Sequence, residues 1–297
     1  MSKTEKAATF FVAFILLTLT AVGSFYDYEI SSNLYMGELP SENIFGIIFA
    51  FIGVIPTFVG WSFLGASLIC FSRKDILSDK KRGLIIALSI LLFILSFFYF
   101  CNTLFLVNEN AFSVHFAIAY SIGVVVIFLF AWLGYTLTKP INDIAVLKKV
   151  LFLTLVSLLT MALIMATKGI MDRPRFRFVY ESKKTEFFRS WWESGKDIKK
   201  DYAKSFGDEF SSFPSGHSAY SMFAIFIFPL LADLIPKLKN HRLSLFVTGF
   251  AWWGLTAFSR ITVGAHYLSD VCIAALVTIS VYATASLVRK KLSSRKI

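Results

Sequence analysis

Eight apolar runs, at about 8–25, 44–71, 83–107, 114–138, 149–168, 218–235, 243–259 and 270–288, take up most of this chain. A run of about 20 such residues crosses a bilayer as a helix, because backbone N–H and C=O groups must find their partners internally there. Of the 297 residues 56% are hydrophobic and 33 are Phe, more apolar surface than a soluble domain of this length can bury. The expected fold is therefore all-α: a polytopic transmembrane helical bundle of about eight spans.

Lys3 and Lys6 precede the first run, and Ala21-Val22-Gly23 resembles a signal-peptidase site. The run is nevertheless long enough to span, so an uncleaved first helix is expected. The second run contains Pro56 and Gly60 and is long. It fits either a tilted, kinked helix or a re-entrant segment followed by a shorter span. Cys70, Cys101 and Cys272 all lie in apolar runs and read as buried packing residues.

Charge in the loops orients the chain. Arg73, Lys74, Lys80, Lys81 and Arg82 follow the second run, Lys139, Lys148 and Lys149 the fourth, and Lys237, Lys239 and Arg242 the sixth. Arg289, Lys290, Lys291, Arg295 and Lys296 close the chain. The intervening segments at 26–43 and 107–112 have no Lys or Arg. The positive-inside rule then puts both termini in the cytoplasm of a multi-pass protein, most plausibly of the cell membrane. The net charge of +11 follows from this loop pattern, and no nucleic-acid partner is expected.

The segment from 169 to 213 is basic although the count places it outside, as long translocated loops tolerate. Its part from 186 to 206 mixes Phe187, Phe188, Trp191, Trp192, Tyr202 and Phe206 with Arg189, Lys196, Lys199, Lys200 and Lys204. It reads either as an interfacial segment on anionic headgroups or as a solvated loop with an aromatic anchor.

The same topology gathers three polar groups on the outer face: Lys168 with Arg173, Arg175 and Arg177; Pro214-Ser215-Gly216-His217; and Ser259-Arg260 with His266 and Asp270. Arg and Lys in number suit an oxyanion with several acceptors, most plausibly phosphate. Ser215-Gly216 at a helix start offers backbone N–H groups. Two histidines meet the needs of phosphoryl transfer through a covalent intermediate, a nucleophile and a proton donor. Asp270, four residues after His266, shares its helical face and suits an orienting role. No carboxylate cluster offers a metal site, so neither metal nor cofactor is expected. His115 and His241 read as interfacial residues, and Arg177, Lys183 and Lys184 as solvated loop charge.

These segments resemble the three signatures of the type 2 phosphatidic acid phosphatase (PAP2) superfamily: Lys-x6-Arg-Pro, Pro-Ser-Gly-His and Ser-Arg-x5-His-x3-Asp. The second and third are intact. In the first, Lys168 and Arg175 keep their spacing, but Phe176 stands in the proline's place and Arg173-Pro174 sits two residues earlier. The resemblance implies a PAP2-like catalytic domain at 148–297, after N-terminal helices at 1–147 that carry no recognised motif. It also implies a metal-independent phosphatase in which His266 attacks phosphorus, Asp270 orients it and His217 protonates the leaving oxygen. Lys168, Arg175, Arg260, Ser215 and Gly216 would hold the phosphoryl oxygens, with Arg173 as a further candidate. The expected substrate is a lipid phosphomonoester or diphosphate, such as polyprenyl diphosphate, phosphatidylglycerophosphate or phosphatidate, reached from the bilayer at the outer leaflet. The alternatives are a phosphotransferase using the same phosphohistidine and a non-catalytic transporter or scaffold that inherited the fold.

Overall fold

The computed structural model describes residues 3–37, 42–74, 77–111 and 116–294, without the side chains of 103–119, 203–207 and 293. His115 lies outside the described residues, as do the side chains of Lys204 and Phe206.

The described residues form helices and connecting segments, with no strand among them. α1 (Lys3–Leu34) runs on through Ala21-Val22-Gly23 and kinks at Tyr26. The long second run breaks at Gly53 and Val54 into α2 (Ile44–Ile52) and α3 (Ile55–Ser72), which together make one apolar segment long enough to span. Pro56 near the start of α3 has no N–H to continue the ladder backward. α4 (Asp79–Ala111), α5 (Phe116–Thr138) and α6 (Ile144–Met171) follow. The loop after α6 carries α7 (Phe176–Ser182) and α8 (Lys196–Phe206). The sixth run is a broken rod: α9 (Gly216–Met222), α10 (Ala224–Ile227), a 3-10 turn at Phe228–Leu230 and α11 (Leu231–Leu234). α12 (Arg242–Thr262) and α13 (Leu268–Ser294) complete the bundle.

Among the described residues, seven helical segments are long and apolar enough to cross a membrane, which marks an integral membrane protein. α12 forms where the seventh of the eight expected spans lies but is too polar to be among the seven. Much of that polarity is spent inside the bundle: Thr256, Ser259, Arg260 and Thr262 are all buried. α3 sits centrally, packed against α4, α5 and α6 and buried on nearly every side. α1 packs along α13, and α12 against α9, α10 and α2.

Ion pairs pin the end where α1 begins. Asp233 of α11 takes Lys149 of α6 at 2.5 Å and also Arg242 of α12, which bonds Glu5 of α1 at 3.2 Å. The opposite end carries the loop between α6 and α9, folded into a cap. Phe178, Val179, Ile198 and Phe210 form a small core there, packed against Tyr28, Phe187, Phe188 and Tyr202. Trp191 donates to Ser24 Oγ at 2.9 Å and stacks on Phe213. Phe187, Phe188, Trp191 and Tyr202 are thus half-buried against the protein, and Trp192 is exposed. Arg177, expected as solvated charge, is instead a fork on Glu209, donating from Nε at 2.8 Å and from Nη2.

Candidate active site

Three chain reversals at the capped end bring the motifs together. α6 ends just after Lys168, where Asp172 takes the left-handed conformation and turns the chain out of the helix. Pro174 and Arg175 lead into α7, and Phe176 is its first residue. Proline is favoured there because the first N–H has no partner in the helix. Phe176 fills that place without a proline, fully buried against Tyr28, Tyr35, Tyr180 and Tyr267. The helix start is thus held by aromatic packing at Phe176.

The second segment reverses at Pro214 and starts α9. Ser215 caps it, its Oγ accepting from Ser218 N at 3.3 Å, while Ser215 N donates to Asp270 O at 3.2 Å. The third reverses at Gly264, whose φ of 65° and tight fit exclude a side chain: a Cβ would lie 3.0 Å from Arg177 N. Beyond that turn the amides of Ala265 and His266 both donate to Arg260 O, at 3.1 and 3.2 Å.

His266 is the centre of the arrangement. It is buried, and its Nδ1 lies 2.6 Å from Ser212 O. A carbonyl only accepts, so Nδ1 carries the proton and Nε2 keeps its lone pair. Asp270, expected to orient His266 directly, stands 3.9 Å from Nδ1. Its carboxylate instead accepts from Ser212 Oγ at 2.6 Å, Tyr267 N at 2.9 Å and Arg173 Nη1 at 2.5 Å. Ser212 therefore bridges the two, through its hydroxyl to Asp270 and its carbonyl to His266.

Lys168, Arg175, His217 and Arg260 lie within electrostatic reach of His266. Burial pushes the His266 imidazole well below its ordinary value, and those four groups push it the same way. Lys168 donates to Ser211 O, and its Cε would be 3.8 Å from a Cβ on Gly216. Arg175 pairs with Asp208 at 3.1 Å. Arg260 donates from Nη2 to Gly46 O at 2.5 Å, and His217 Nε2 donates to Ala50 O at 3.0 Å. These two α2 carbonyls are one helical turn apart.

Arg173, a candidate phosphate ligand from sequence, has a different post. Its guanidinium is fully buried and bonds Asp27 at 3.0 Å, Asp270, Ser269 Oγ at 3.0 Å and Arg189 O at 2.8 Å. It also lies 4.1 Å from the centre of the Tyr267 ring. Two carboxylates, one from α1 and one from α13, thus hold it. Asp27, Ser212 and Ser269, and the carbonyls of Gly46 and Ala50, escape a motif search. Asp27 stood out only as an acid in a loop without Lys or Arg, and a backbone carbonyl leaves no mark in sequence.

Cations around a neutral imidazole make a site for a polyanion beside a nucleophilic nitrogen. Residues 148–293 match the family model of the PAP2 superfamily. No curated protein and no solved structure matches the chain.

Proposed function

From the premise that residues 148–293 belong to the PAP2 superfamily, whose general activity is phosphatase chemistry on phosphate esters, we propose that this chain is a membrane lipid phosphatase working through a phosphohistidine on His266. The observation that carries the reading is the His266 imidazole, pinned at Nδ1 by Ser212 O and within electrostatic reach of Lys168, Arg175, His217 and Arg260.

His266 Nε2 donates its lone pair to phosphorus while the bond from phosphorus to the leaving oxygen breaks. His217 supplies the proton that the leaving oxygen takes up. Lys168, Arg175 and Arg260, with Ser215 and the Gly216 amide, neutralise charge on the phosphoryl oxygens. The positive charge that builds on the phosphorylated imidazole is met through Ser212 and Asp270. Water, giving a proton to His217, then displaces His266 and releases phosphate. The substrate is an amphiphilic phosphomonoester or diphosphate, and the active site faces the outer leaflet, with both termini in the cytoplasm. The apolar helices among the described residues, long enough to cross a bilayer, support a lipid substrate over a soluble one.

Purified protein is expected to release phosphate from a panel of lipid phosphates with EDTA present. His266→Ala should lower turnover by about 10³-fold or more with folding intact. His217→Gln should lower it by about 10²–10⁴-fold. Brief incubation with a ³²P-labelled substrate should label wild type with an acid-labile, alkali-stable phosphate absent from His266→Ala. Unchanged turnover in His266→Ala would end this mechanism, and activity lost on chelation would contradict its metal-free form.

A further inference from the structure

The family match begins at residue 148, yet the network behind His266 closes on a side chain from α1. We infer that Asp27 is a positioning residue for His266, acting through Arg173 and Asp270; this rests on His266 being the nucleophile proposed above.

The contacts are specific. Asp27 Oδ1 accepts from Ser269 N at 2.9 Å, and Oδ2 accepts from Ser269 Oγ and from Arg173 Nη2 at 3.0 Å. Gly23 makes the approach possible: a Cβ there would lie 2.8 Å from Asp27 Oδ1 and 2.9 Å from Ser269 N. α1 is thus brought against the first turn of α13 where Asp27 must reach. The side chains of Arg173 and Asp270 are fully buried and that of Asp27 nearly so, so their charges are poorly screened.

The charge count gives Asp27 its purpose. Arg173 lies against Asp270, and alone it would cancel most of that carboxylate's field at His266. Phosphorylation makes the imidazole positive, so a cancelled Asp270 would stabilise nothing. Asp27 offsets Arg173 on its far side. The Asp27–Arg173–Asp270 set then carries one net negative charge, passed to His266 Nδ1 by the Ser212 bridge. The guanidinium also fixes Asp270 in place, so rigidity and field are obtained together. Among the described residues, other charged or titratable groups facing this network are Lys168, Arg175, His217 and Arg260, within electrostatic reach of His266, and Tyr28, Tyr267 and Cys272 on the side of Asp27.

Asp27→Asn keeps shape and hydrogen-bonding capacity and removes the charge. Asp27 stands behind Ser212, Asp270 and Arg173, so we expect kcat to fall about 10-fold, the low end of the loss on removing an outer hydrogen-bonded partner, with KM within about twofold. In protein labelled with ¹⁵N only at its four histidines, the His266 titration should move further down in pH. Asp27→Glu should retain much of the activity. The deciding variant is Asp27→Asn/Arg173→Gln, which leaves Asp270 as the single charge. Recovery of kcat and of the His266 titration above those of Asp27→Asn supports the inference, whereas a merely structural role predicts additive loss. An unmoved His266 titration in folded Asp27→Asn would overturn it. If Asp27→Asn does not fold, the double variant is compared with wild type, whose set also carries one net negative charge: a His266 titration and kcat near wild type support the charge account, and values well below it refute it. Wild type that hydrolyses no lipid phosphate would sink the proposed function instead, and the His266 titration, which needs no turnover, would still decide the coupling.

Discussion

Ser212 has no place in any signature, yet it meets His266 with its backbone carbonyl and Asp270 with its hydroxyl. Its carbonyl fixes the Nδ1 proton and its hydroxyl ties Asp270 to the same loop. Ser212→Ala removes only the hydroxyl, so it should lower kcat by about 10-fold while leaving KM near wild type, as steady-state kinetics would show. His266 also makes a pH prediction. Its folded value lies well below the ordinary 6.5 or so, so the unfolded chain takes up a proton there before the folded one does. Stability should therefore fall as pH drops below about 6.5, and less steeply in His266→Gln, measured by unfolding at a series of pH values. For the same reason the neutral, nucleophilic imidazole should persist to low pH. The acid limb of kcat/KM is expected below about 6.5 rather than at it.

Among the elements, α12 shows how close packing holds the site. Gly249 faces α10 so tightly that a Cβ would lie 2.7 Å from the carbonyl carbon of Ala224. Backbone cannot yield there, so Gly249→Ala should destabilise the protein by about 1–3 kcal/mol. Gly254, on the same helix, has open space around its Cβ position, and Gly254→Ala should be neutral or stabilise by up to about 1 kcal/mol. Thermal unfolding of the two variants side by side tests the contrast. α2 was legible only as the first part of an overlong apolar run. Its separation from α3 is written in Pro56, but its role is not. Trp252 holds its end by donating to Gly53 O at 2.9 Å, and Asn43 ties its start to Thr262 Oγ1 at 3.1 Å.

At the scale of the molecule, the two halves of the chain are not separable units. Residues 1–147 supply Asp27 to the network behind His266 and the Gly46 and Ala50 carbonyls to Arg260 and His217. A fragment from 148 to 297 is expected to release no phosphate, and co-expression of 1–147 with it should restore phosphate release in the membrane fraction. The helices without a motif thus belong to the site as much as to the bundle.

The apolar runs by themselves determined an all-α membrane protein, because a bilayer admits few other backbone arrangements. The spacing of Lys168, Arg175, His217, Arg260, His266 and Asp270 likewise carried the expectation of phosphoryl-transfer chemistry, since each side chain is a local fact of sequence. What only the tertiary structure decided is which charges meet. Arg173 reads as one more phosphate ligand until α1 brings Asp27 against it, and Asp270 as a direct partner of His266 until Ser212 comes between them. Such pairings depend on helices far apart in sequence, and on carbonyls that every residue has, so no local pattern encodes them.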